Sequence, residues 1–160
     1  MANARTGKDA YTLNFPCDEF KEIELTEALI KTSNSIPKAA YRGKSDVMLV
    51  FEDQQEVEQL LPQLDAIKKV DARGLIVTAQ GKDCDFVSRF FARAFGIDEN
   101  PVTGSAHTTI VPYWAKRLGK VEMEAMQVSA RRGKLHCNLV KDRVELTGKA
   151  VLYLKGEMYL

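Results

Sequence analysis

The residues with the clearest capacity for chemistry are Thr103, Gly104 and Ser105, a short polar run that follows the turn sequence Asp-Glu-Asn-Pro. Pro101 disfavours helix at the residue before it, so we predict that a helix begins near Thr103. The first N–H groups of a helix have no intrahelical acceptor and lie at the positive end of its dipole. With the Gly104 backbone and the Ser105 hydroxyl, they would bind a carboxylate or a phosphate.

The same run also has a plain structural interpretation, because the Thr103 hydroxyl is a common helix cap. A similar choice applies to His107, about one turn into the predicted helix. It could donate to a bound anion, or it could be a packed, hydrogen-bonded structural histidine. Ala106 completes the run, and both interpretations remain open from the residues alone.

The helix that would present this run is predicted to reach a stop at residues 116–120, where Lys116 and Arg117 meet the negative end of the dipole and Gly119 suits a left-handed cap. Its residues are apolar around the full circumference. This pattern indicates a central helix that is surrounded by protein.

Within that helix, Pro112 should leave the Thr108 carbonyl without its helical donor. We expect Thr108 and Thr109 to repair the resulting kink. Tyr113 and Trp114 are expected in the core rather than as a stacking platform.

The rest of the chain alternates strand and helix patterns, which predicts a mixed sheet with a covering helix. Strands are predicted at 11–15, 39–42, 46–52, 74–79, 86–91, 122–129, 134–140 and 143–153. Helices are predicted at 24–31 and 54–70, the second interrupted at Pro62 or split there into two shorter helices.

The composition argues against several partners. With 23 basic and 22 acidic residues, the net charge is +1, which gives no electrostatic attraction to nucleic acid or to an anionic membrane. No apolar run approaches membrane-spanning length and no signal peptide is recognisable, so we expect a cytoplasmic protein. Three cysteines without C-x-x-C spacing and two distant histidines predict no disulfide framework, no metal site and no cofactor.

Three blocks of the sequence carry a family resemblance: FVSRFFARAFGIDENPVTGSAHTTIVPYWAKRLGK, AMQVSARRGKL and DRVELTGKAVLYLKGEMYL. The sequence resembles the C-terminal half of the phenazine-biosynthesis-type (PhzF-like) isomerases, relatives of diaminopimelate epimerase. The resemblance implies an α+β fold, a single half in which a curved mixed β-sheet (a half-barrel) is wrapped around a long central helix. It assigns residues 11–160 to this domain and leaves residues 1–10 as a flexible arm. In such proteins two halves face each other across a cleft, where the starts of the two helices converge on the substrate.

Departures from the family pattern bear on activity. The motif usually reads Asp-Pro-Val-Thr-Gly-Ser-Ala-His, with the aspartate beside the substrate, whereas this sequence has Asn100 there. An amide cannot exchange a proton at neutral pH, although it can hydrogen-bond a substrate. The family's catalytic glutamate (Ser-Glu-Thr) and histidine (Gly-His) lie in the other half, and neither motif occurs in these 160 residues. No catalytic residue is therefore assigned, and the expected substrate-binding residues are Asn100, Thr103, Gly104, Ser105, Ala106 and His107.

Two functions remain open. One is an isomerase-family domain that binds a small anionic metabolite at the helix start, completed by another half. The other is a non-catalytic, homodimeric binding or assembly module that retains the fold. We expect a homodimer, because a lone half should expose an apolar surface around Phe90, Phe91, Pro101 and the helix start.

Overall fold

The computed structural model describes residues 10–92, 96–151 and 156–157, together with the backbone of residues 3–6. Its strands are β1 (Asn3–Thr6), β2 (Tyr11–Pro16), β3 (Lys21–Ile23), β4 (Ala39–Arg42), β5 (Asp46–Val50), β6 (Gly74–Gln80), β7 (Phe86–Phe91), β8 (Glu122–Gln127), β9 (Gly133–Val140) and β10 (Arg143–Gly148). Its helices are α1 (Glu27–Ile30), α2 (Gln54–Gln59), α3 (Leu64–Ile67) and α4 (His107–Leu118).

The strands form one ten-stranded mixed sheet in the order β1-β2-β10-β9-β8-β7-β6-β5-β4-β3. The β5–β6 and β7–β8 pairs are parallel and the other seven are antiparallel. The predicted α+β class with a mixed sheet is confirmed. The strand predicted at 143–153 ends at Gly148 instead, and residues 152–155 lie outside the described part of the chain.

Helix α4 lies against the sheet in the larger of two hydrophobic clusters. This cluster contains residues of every strand from β5 to β10, and partly buried side chains of β4 (Ala39, Tyr41) and β2 (Phe15) pack against it. Because strands near both ends of the sheet order contact one cluster, the sheet must curve toward α4. Trp114 is buried and donates to the Thr78 hydroxyl at 2.9 Å, which confirms its place in the core.

The opposite face of the sheet is covered only in part. Helices α1, α2 and α3 form the second cluster with residues of β4, β5, β6 and β7. All five residues of β5 are buried, as expected for a strand covered on both faces. In β8 buried and exposed residues alternate, because one face of that strand meets solvent. The predicted helix at 54–70 is two short helices, separated where Pro62 was expected to break it.

Pro112 has the predicted local effect, with a different repair. The Thr108 carbonyl accepts the backbone N–H of Asp18 at 3.1 Å, in place of the donor that a proline cannot supply. The Thr108 hydroxyl donates instead to the Ser105 carbonyl, and the Thr109 hydroxyl donates to the Asp18 carboxylate. The expectation that these two threonines repair the kink is therefore wrong, since a distant backbone group does so.

The terminal region and the exposed surface also differ from expectation. Residues 3–6, within the predicted arm, form β1 and pair with β2. Phe90 and Phe91 are only 5% and 0% exposed, so they are not part of the exposed apolar surface expected there, whereas Pro101 and the adjacent Val102 are exposed. Further exposed apolar side chains on strand β2 are Tyr11 and Leu13.

Candidate functional site

The loop that leads into α4 is held by a partly buried ion pair. Arg89 on β7 makes two hydrogen bonds to the Glu99 carboxylate, at 2.7 and 3.0 Å. The same guanidinium donates to the carbonyls of Val57 and Leu60 at the end of α2. Because the guanidinium is rigid and planar and bonds to several acceptors at once, it holds the loop in one position against α2.

Asn100 follows this anchor and is half-buried. Its backbone N–H donates to the Phe90 carbonyl at 2.9 Å, and its side-chain oxygen accepts the Val102 N–H at 3.2 Å. The Val102 N–H can only donate, so the Asn100 atom that faces it must be the acceptor Oδ1. The other side-chain atom of Asn100, the donor Nδ2, therefore points away from Val102. No acceptor for Nδ2 occurs among the described residues. Within them, the Asn100 side chain therefore has a hydrogen-bond donor available, but it has no group that can act as a base.

Thr103 is buried and does not cap the helix. Its N–H donates to the Gln127 side-chain oxygen at 2.8 Å, and α4 begins only at His107, with no side-chain cap. The predicted helix start near Thr103 is therefore wrong by four residues. The intervening residues form a tight turn, in which the His107 N–H donates to the Gly104 carbonyl at 3.1 Å.

Gly104, Ser105 and Ala106 form this turn, and the first two are half-exposed. Within the described part of the chain, the N–H groups of these three residues have no acceptor. A Cβ atom on Gly104 would lie 3.3 Å from the Phe15 ring, so a side chain here would crowd β2. Among the described residues, the turn therefore combines three N–H donors without an acceptor and the Ser105 hydroxyl.

His107 is fully buried, next to the Phe86 ring. Its Nδ1 lies 2.7 Å from the Thr103 carbonyl, which can only accept, so Nδ1 carries the proton. Burial lowers the pKa of His107 to about 4, against a smaller raising effect of this hydrogen bond. Its Nε2 is buried and no partner for it occurs in the described residues. This arrangement favours the structural interpretation of a neutral histidine.

An open cleft of about 830 Å³ lies beside Asn100, and its lining also includes Val102, Arg131, Arg132 and Lys134. Gly104 to His107 are not among its lining residues, so the predicted binding residues do not all line one cleft. Arg132 has a φ of 52°, a left-handed conformation that is unfavourable for a residue with a side chain. Its guanidinium pairs with Glu58 at 3.2 Å.

Two residues that were not predicted from the sequence, Gln127 and Ser129, hold the loop from beneath. The Ser129 hydroxyl donates to the Pro101 carbonyl at 2.7 Å. Gln127 lies in the ordinary alternating pattern of β8, so no local signal distinguishes it.

In the described residues no group of three or more His, Cys, Asp or Glu side chains could hold a metal ion. None of their helices is long and apolar enough to span a bilayer. Cys17, Cys84 and Cys137 are free thiols.

The fold defines a class of protein: an α+β protein in which a large mixed sheet packs on the helix α4. At the level of fold alone, the chain is similar to a Pseudomonas aeruginosa structure described as a predicted epimerase, with a TM-score of 0.61 and 12% identity over 98% of this chain and 62% of that one. The family model described as phenazine biosynthesis-like protein (PhzC-PhzF) matches residues 11–156. The chain belongs to this family.

Two relatives are more similar in sequence. An uncharacterised isomerase of Pseudomonas aeruginosa is 42% identical over 151 residues, which cover 94% of this chain and 56% of that protein. The crystal structure of a PhzF-family phenazine biosynthesis protein from Enterococcus faecalis is 38% identical with a TM-score of 0.90, covering 98% of this chain and 60% of that one. The chain thus spans about three fifths of the length of such relatives.

Proposed function

We propose that this chain is the anion-binding domain of a PhzF-like isomerase, and that it binds a small carboxylate or a similar anion at the turn from Gly104 to Ala106. One observation carries the proposal: among the described residues, the consecutive N–H groups of Gly104, Ser105 and Ala106 have no acceptor, and they directly precede the 12-residue helix α4. The helix dipole and these donors both favour negative charge. The isomerase class comes from the resemblance and from the printed name of a relative.

The surroundings of the turn support this chemistry. Asn100 carries no charge, so it does not repel an anion as an aspartate would. The proposal assigns no proton-transfer group to this chain, and turnover would require residues of another half.

A matched pair of variants tests the proposal. Ser105→Asp places a carboxylate beside the donors, where it competes with any bound anion. The same negative charge interacts favourably with the helix dipole, so we expect the variant to fold. Ser105→Asn has nearly the same shape without charge. We expect inorganic sulfate to shift the NMR amide signals of Gly104, Ser105 and Ala106 in the wild-type chain. The aspartate variant should bind sulfate at least tenfold more weakly, whereas the asparagine variant should stay within about threefold of wild type.

Inorganic phosphate and alanine serve as further probes of the same signals. Unmoved signals in the wild-type chain, or equal sulfate affinity of the two variants, would contradict the proposal.

A second candidate, a homodimeric binding module, is favoured by the exposed side chains of Tyr11 and Leu13, which are 40% and 38% accessible. Leu13 pairs in register with Leu146, which packs in the cluster around α4, so Leu13 lies on the face of the sheet toward α4. Phe15 on the same face touches Gly104, so this exposed surface adjoins the proposed site. A second copy would bury these side chains.

Light scattering after size exclusion tests the dimer directly. We expect a mass near twice 17.9 kDa at micromolar concentration. In a dimer formed through this surface, Leu13→Lys should restore a mass near 17.9 kDa. Val140→Lys, a change of similar kind at another exposed strand position, is the matched control and should leave the dimer intact. A monomeric wild-type chain would refute the dimer.

A further inference from the structure

The short loop before the proposed anion site is bonded at both ends to one side chain. The Gln127 oxygen accepts the Thr103 N–H at 2.8 Å, and the Gln127 nitrogen donates to the Asn100 carbonyl at 2.6 Å. The same nitrogen lies 3.5 Å from the Thr103 hydroxyl. Gln127 is 1% exposed, so water does not compete for these contacts.

An amide suits this task because it carries a donor and an acceptor without charge. Gln127 therefore bonds to the two backbone groups as a neighbouring strand would. It is the last residue of β8, pairs with Gly133 of β9, and precedes Val128, whose N–H donates to the Ser88 carbonyl on β7. The bonded amide is thus fixed to the sheet on two sides.

The hydrogen bonding of the backbone changes at Thr103. The backbone groups of Asn100 and Thr103 bond to Gln127, the Pro101 carbonyl bonds to Ser129, and the Thr103 carbonyl bonds to His107. The three N–H groups that follow have no acceptor in the described chain. Residues 100–103 are thus fixed by hydrogen bonds directly before the donors that have none. A preorganised binding site has this arrangement, because fixed neighbours hold the donors in place.

The structure assigns to Gln127 the role of a positioning residue: its amide fixes the path of residues 100–103 and thereby the direction of the N–H groups of Gly104, Ser105 and Ala106. This inference rests on the proposed anion site, since it names what orients the donors. Gln127 itself lies beneath the loop and is not one of those donors.

Two variants in the full chain test this role. Gln127→Met removes both hydrogen bonds and keeps the approximate shape. Gln127→Glu keeps an acceptor for Thr103 but, when ionised, opposes the Asn100 carbonyl with a second acceptor. Once protonated, the same carboxyl can donate to Asn100, and burial raises the pKa of a carboxyl group so that this occurs at mild pH.

At about pH 8 both variants should bind inorganic sulfate about tenfold more weakly than wild type. A loss of this size corresponds to one hydrogen bond between the turn and the sulfate. At about pH 5.5 the glutamate variant should recover most of this loss relative to wild type, whereas the methionine variant should not. The amide signals of Gly104 to Ala106 should move in the methionine variant even without sulfate. A general loss of stability would not produce a pH-dependent recovery.

The outcomes separate this inference from the proposed function. If wild type does not bind sulfate, the anion site fails, and the sulfate-free amide signals alone decide the role of Gln127. Unmoved amide signals in the methionine variant, or wild-type sulfate affinity in either variant at about pH 8, would overturn the assignment. Should the methionine variant not fold, the presence or absence of pH-dependent recovery in the glutamate variant decides it.

Discussion

The two ends of α4 are built in different ways. At the end of the helix, Gly119 adopts a left-handed φ of 69°, and the N–H groups of Gly119 and Lys120 both donate to the Ala115 carbonyl. At the start, the N-cap position is Ala106, which has no capping side chain, and the N–H groups of Gly104, Ser105 and Ala106 have no acceptor among the described residues. The helix therefore has a closed end and an open one.

This difference separates stability from binding. The closed end uses local chemistry, a glycine cap with Lys116 and Arg117 in the last turn, and it leaves little for another molecule to bind. The open end depends on Gln127 and His107, and it leaves donors free. A helix terminus that binds an anion must forgo a cap from its own chain.

The largest expected effect concerns acid stability at the open end. The pKa of His107 is lowered to about 4, below its ordinary value of 6.5, so between these pH values the unfolded chain binds a proton that the folded chain does not. The free energy of unfolding should therefore fall as pH drops from 6.5 through 4, with a His107 contribution of about 3 kcal/mol. His107→Asn, which retains a donor for Thr103, should be less stable than wild type but should lose less stability over this interval.

Urea unfolding across this pH range measures the effect. Val111→Ala, a buried change on the same helix without a titratable group, is the control and should keep the wild-type pH dependence. An asparagine variant with the wild-type pH dependence would show that His107 does not carry the proton linkage.

A smaller effect is expected at the closed end. Gly119→Ala should cost about 1 kcal/mol of unfolding free energy, because only the left-handed φ opposes it and no atom lies within 4 Å of the added Cβ. Gly119→Asn should cost less, since asparagine tolerates this conformation better. Sulfate affinity should not change in either variant, because the helix separates this end from the proposed site by about 18 Å. Reduced sulfate affinity in the alanine variant would show that the end of the helix affects binding at its start.

Much of the fold follows from local patterns. The strand bounds of β4 and β7 match the sequence-based prediction. Strand β5 was predicted as a buried strand because a continuous apolar run is a strong signal. The closed end of α4 was also predicted, since Gly119 and the basic last turn lie within a few residues of each other. Pattern does not give β3, which has three residues and no periodicity to detect.

The candidate site was predicted only in outline. The residues of the turn were identified because their types are unusual for a helix interior. The position of the helix start was wrong, because Gln127 lies 24 residues beyond Thr103 and bonds its N–H from another strand. Contacts of this kind depend on how the sheet brings β8 beneath the loop, and no local sequence pattern records them.

The bond between Asp18 and the carbonyl exposed by Pro112 also constrains the order of folding. It joins a segment directly after β2 to the first turn of α4, where the neighbouring contact between Thr109 and Asp18 spans 91 residues. The adjacent Cys17 N–H donates to the carbonyl of Asp142, and β2 itself pairs with β10. During synthesis β2 therefore waits without its β10 partner until most of the chain has emerged. Such late, non-local closure slows folding and prolongs the exposure of an unpaired strand, so co-translational aggregation is the hazard that this topology carries.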